Sequence, residues 1–107
     1  LTWSAVRPAP GDESAKRQAA LDRAIARSQT LEQALRALSP EQRALPGEAA
    51  QVVAELRGRI AQLDDELSIP GMWSREPERV VDLWRERAGL MSALVDVHST
   101  RAPAATF

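Results

Sequence analysis

The segment from Arg79 to Ser99 carries two adjacent apolar stripes at helical spacing, and no other feature narrows the folds open to this chain as far. Val81, Trp84, Ala88, Met91, Val95 and His98 recur in steps of three and four, and Val80, Leu83, Leu90, Leu94 and Val97 form a second stripe one residue behind. A helix with so wide an apolar arc is normally buried against more than one neighbour. The two segments before it carry one seam each. Leu21, Ala24, Ser28, Leu31, Leu35 and Leu38 hold heptad a and d positions, as do Ala49, Val53, Leu56, Ile60, Leu63 and Leu67.

The punctuation between these seams sets the boundaries. Arg7-Pro8-Ala9-Pro10-Gly11 predicts a linker over residues 1–11, because two close prolines resist helix, and Asp12 or Ser14 then caps a helix over 12–38. Ser39-Pro40-Glu41-Gln42 predicts a single helical turn, and Pro46-Gly47 breaks the chain before a second helix over 47–68. Ile69-Pro70-Gly71 ends that helix. Met72 to Pro77 predicts a loop, with Met72 and Trp73 folded back on the hairpin end and Ser74 or Glu76 as the next cap. The third helix covers 77–99, and 100–107 predicts a disordered tail.

The helical domain is thus 12–99, and its class is all-α. Three helices of similar length on short connections fit an up-down-up, three-helix coiled-coil-like bundle, or an antiparallel helical hairpin whose first helix packs on a second subunit. The second stripe on the third helix favours self-association. Val80, Leu83, Leu90, Leu94 and Val97 are therefore expected to form the interface of a homodimer.

Composition removes several classes of function. The 107 residues make one small domain, and 14 basic against 15 acidic residues, interleaved, leave no basic face for nucleic acid. No Cys is present, which excludes disulfides, thiolate metal sites and cysteine nucleophiles. Tyr is absent, Phe occurs once and β-branched residues are sparse, so little sheet is expected.

The side chains able to carry chemistry do not converge in the sequence. Asp64-Asp65-Glu66 is the densest acidic run, but adjacent helix positions diverge, and in an antiparallel hairpin the run meets Arg75 and Arg79 as surface ion pairs. His98, the only histidine, lies at the far end of that hairpin, near Glu48, where a helix C-terminus favours its charge. Ser28, at a heptad a position between apolar turns, reads either as a residue that specifies pairing or, the preferred expectation, as a small residue tolerated in the seam. Arg85-Glu86-Arg87 reads as a solvated face beside Trp84, with a guanidinium placed to pack over the indole. Gly58 and Gly89 read as surface glycines within helices. No phosphate loop, zinc spacing or serine elbow occurs, so neither enzyme activity nor a cofactor or metal is expected.

Two segments, Val53-Ala54-Glu55-Leu56-Arg57-Gly58-Arg59-Ile60-Ala61-Gln62-Leu63-Asp64-Asp65-Glu66-Leu67 and Asp82-Leu83-Trp84-Arg85-Glu86-Arg87-Ala88-Gly89-Leu90-Met91-Ser92-Ala93-Leu94-Val95, carry a resemblance. The region from Leu56 to Val95 resembles the part that follows the membrane helix in bacterial membrane-anchored anti-sigma factors of extracytoplasmic-function sigma factors. The resemblance implies a periplasmic regulatory or sensing domain tethered to the inner membrane, with an envelope protein as a possible partner. The chain departs from the zinc-containing anti-sigma family in lacking Cys, no stretch of it matches a sigma-binding segment, and no functional residue carries over. Under this reading Leu1, Trp3, Ala5 and Val6 are expected to continue the exit of a membrane helix upstream; otherwise they form a loose N-terminal segment. The competing expectation is a cytoplasmic, soluble, homo-oligomeric coiled-coil adaptor or assembly factor.

Overall fold

The computed structural model describes residues 10–38 and 45–101. They form three long helices and one short one: α1, Pro10–Ala37; α2, Gly47–Leu67; α3, Met72–Arg75; and α4, Pro77–Arg101. No strand occurs among the described residues. The expected single turn at 39–42 and most of the expected tail lie outside them.

α1 starts two residues earlier than the proline-rich sequence suggested, with Pro10 and Gly11 inside its first turn. A proline there gives up only an N–H that has no helical partner, and Asp12 and Glu13 follow where the helix dipole favours negative charge. α2 follows Pro46, whose carbonyl accepts the Ala50 N–H at 2.8 Å, and ends at Ser68. The Ser68 hydroxyl donates to the Asp64 carbonyl at 2.8 Å, and the Trp73 indole N–H donates to the Leu67 carbonyl at 2.9 Å, so the turn satisfies two carbonyls of the last helical turn.

The stretch expected as a loop contains the four-residue α3. Gly71 enters it at φ 80°, the left-handed region that L side chains avoid, and the Arg75 guanidinium donates to the Pro70 carbonyl at 3.2 Å across the same corner. Glu76 then caps α4 through its carbonyl, which accepts the Val80 N–H at 3.1 Å, and Pro77 takes the first helical position. As expected, Met72 folds back into the core, while Trp73 lies against Trp84 edge to face, ring centres 6.4 Å apart, and stays 44% exposed.

Contacts rise together along α1 and α4, Arg17 meeting Glu78 and Ser28 meeting Arg87, so these two helices run parallel. They run oppositely along α2 and α4, where Arg59 meets Glu86 and Glu66 meets Arg79. The result is an up-down-up bundle with α1 packed on α4 of its own chain. α4 is the middle helix: it packs along both α1 and α2, which approach each other far less closely. The double stripe thus has the two neighbours that its width required.

Both earlier seams face inward. One core cluster joins Leu35 of α1, Val53 and Ile60 of α2, and Met91 and Leu94 of α4; another joins Leu63, Met72, Val80 and Leu83, with Leu21 against it. This corrects the expected dimer interface. Val80, Leu83 and Leu94 are buried by the chain itself, because α2 occupies the side of α4 on which they lie, and only Leu90 and Val97 remain half-exposed.

Candidate functional site

The second stripe of α4 is interrupted once. Continuing Val80 and Leu83 at heptad spacing reaches position 87 before Leu90, and the residue there is arginine. Its side chain does not reach solvent as the alternating charges around it suggested: Arg87 is 8% exposed and lies between α1 and α2. Its Nε donates to Asp64 Oδ1 of α2 at 2.8 Å, its Nη1 to the Ser28 hydroxyl of α1 at 2.6 Å, and its Nη2 to Glu32 Oε2 of α1 at 3.3 Å. The guanidinium carbon also lies 5.5 Å from the centre of the Trp84 ring, within cation–π range.

This cluster is the one place where polar side chains of all three long helices meet in the described interior. Burial opposes the charge on Arg87, but hydrogen bonds to Asp64 and Glu32, together with their charges, outweigh it and hold the guanidinium above its ordinary pKa. Arginine suits the position because its planar fork reaches three acceptors in different directions while its stem packs among apolar neighbours. Ser28, fully buried, is small enough to admit the fork and supplies the oxygen it needs. Trp84 Nε1 is also buried, without a hydrogen-bond partner among the described residues.

Chemically the cluster is a clamp. The Ser28 hydroxyl is fully buried and accepts from the Arg87 cation. The acidic run Asp64-Asp65-Glu66 splits as helical geometry requires: Asp64 turns inward to Arg87, Glu66 pairs with Arg79 at 2.6 Å, and Asp65 is exposed. Of the two expected arginine partners of that run, Arg79 is found there and Arg75 is not. No three His, Asp or Glu side chains come together as a metal site among the described residues.

Two other features belong beside the clamp. A shallow cleft between the first turns of α1 and the start of α4 is lined by Glu13, Lys16, Arg17, Glu78, Asp82 and Arg85, three charges of each sign, and so favours neither anion nor cation. His98 lies on the inward side of α4, in its last turn at the opposite end, 1% exposed.

Neither a family model, nor a curated protein, nor a solved structure matches the chain. Its function is accordingly argued from the geometry above. Sequence reasoning named Ser28 and Arg87 but gave both bland roles, one tolerated and the other solvated. The signal that joined them was positional, since each is the polar member of an otherwise apolar stripe.

Proposed function

We propose that the chain is a non-enzymatic helical protein–protein interaction module that works as a homodimer. The observation that supports this is a strip of apolar surface left along the α2–α4 seam. Arg59 and Glu86 pair across the two antiparallel helices, and one heptad further along each lie Val52 and Ala93. Val52 is exposed, and Ala93, Leu90 and Val97 are partly buried, Leu90 and Val97 packing against the core, so the strip continues outward from the core that the seam already buries. Half-buried apolar side chains in a row on a bundle edge are what a further helix would cover.

Within this reading we place the module in the periplasmic, regulatory part of a membrane-tethered, anti-sigma-type protein. Its support is the resemblance over Leu56 to Val95, together with the end of the bundle at which α1 begins. That end exposes Ile69 and Trp73, and the apolar residues Leu1, Trp3, Ala5 and Val6 precede α1 in the sequence. The same strip would equally serve a soluble homo-oligomeric adaptor.

Sedimentation equilibrium tests the module. A concentration-dependent dimer is expected, and replacing Leu90 and Val97 together with Glu should yield monomers with unchanged helical circular dichroism. A wild-type chain that stays monomeric throughout the accessible concentration range would refute it. Affinity purification of the full-length parent from its native envelope tests the regulatory placement. Co-purification of a sigma factor supports it, and recovery of the parent alone from the soluble fraction favours the adaptor.

A further inference from the structure

A heptad seam has an inherent weakness, since sliding one helix by seven residues, about 10.5 Å, brings leucine back against leucine. The seam of α1 is regular throughout, and the nine residues 38–46 between α1 and α2 have a reach of about 30 Å, enough to allow such a slide. Heptad spacing alone permits these alignments, although either one sets Leu31 or Arg17 where the buried Ala24 now packs.

The clamp does choose, because its polar groups do not repeat. Seven residues before Ser28 and Glu32 stand Leu21 and Ile25, and seven after Ser28 stands Leu35. With α1 shifted either way, the Arg87 guanidinium keeps Asp64 of α2 but sits opposite a leucine and loses the Ser28 hydroxyl and the Glu32 carboxylate. On α2, the residue one heptad before Asp64 is Arg57, so a shift there sets one cation against another. A buried charge stripped of part of its hydrogen bonding is costly, and a single buried polar residue is known to fix register in coiled coils for that reason.

We propose that Ser28, Glu32 and Arg87 form a register lock, which selects one alignment of α1 on α4 against its heptad-shifted alternatives. The lock acts through the penalty it places on the wrong alignments. It acts within one chain, independently of dimer formation and of the proposed placement at a membrane.

The chain has no cysteine, so a pair introduced at the exposed positions Ala19 and Asp96 can be spin-labelled selectively. Pulsed electron–electron distance measurement on this labelled chain should give one narrow distribution. Adding Arg87→Met should bring in a second population displaced by about 10 Å, with helix content retained. A single, unshifted distribution in folded Arg87→Met would overturn the lock. Ser28→Leu combined with Leu35→Ser moves the hydroxyl one heptad along α1 at constant composition. It should transfer population to the alignment that sets position 35 opposite Arg87, and an unchanged distance would again overturn the proposal. Should Arg87→Met fail to fold, this second variant decides alone.

Discussion

Arg87 exchanges hydration for three oxygen acceptors and an aromatic face, and two substitutions separate the value of those contacts from the cost of burying the charge. Arg87→Ala leaves Ser28 and two carboxylates without their donor and opens a cavity. It should cost about 3 kcal/mol, the low end for breaking a buried pair, because Asp64 and Glu32 keep some access to water. Arg87→Met removes the charge but keeps most of the volume, and should fall within about 1 kcal/mol of wild type. Chemical denaturation measures both. At the surface, hydrogen bonds from Arg59 hold the Glu86 carboxyl below its ordinary pKa. A depressed folded-state pKa stabilises above the unfolded value and loses that contribution as pH falls through the folded one. Glu86→Gln should therefore flatten the acid limb of a stability–pH curve and leave its slope near neutrality unchanged. Ser28 and the gap at position 87 were both visible in the sequence. Their pairing was not, because the two residues lie 59 positions apart, and only the parallel packing of α1 on α4 brings them together.

At the scale of elements, the seams marked the three long helices to within one or two residues at most ends, because a helix must bury its apolar face along its whole length. The misses have local causes. Pro10 was read as excluding helix although a first turn admits it, and α3 is too short for any periodicity to signal. Its position is set by Gly71 and by the Trp73 indole reaching back to Leu67. Gly58 and Gly89 face open space, so a methyl group at either meets nothing. Gly58→Ala and Gly89→Ala should each stabilise by about 1 kcal/mol in thermal or denaturant melts. Gly71→Ala should do the reverse by about 1 kcal/mol, since its φ of 80° strains any L side chain.

Across the whole molecule, the width of the apolar arc on α4 correctly required two neighbours, but periodicity does not say whether a neighbour belongs to the same chain. The bundle answers for most of the arc: Val80, Leu83 and Leu94 serve the monomer, and Leu90 and Val97 are left at its edge. Leu94→Ala should accordingly cost about 2–5 kcal/mol of unfolding free energy, measured at concentrations where the chain is monomeric. α4 is thus the middle helix, tied to both neighbours through a buried arginine. Nitrogen-resolved NMR of the arginine side chains tests this most directly, with Arg87→Lys identifying the Arg87 signal. The expected result is an Arg87 Nε–H slow to exchange with water, with nuclear Overhauser contacts to Ser28 and to the Trp84 ring. A rapidly exchanging Arg87 Nε–H without those contacts would contradict it.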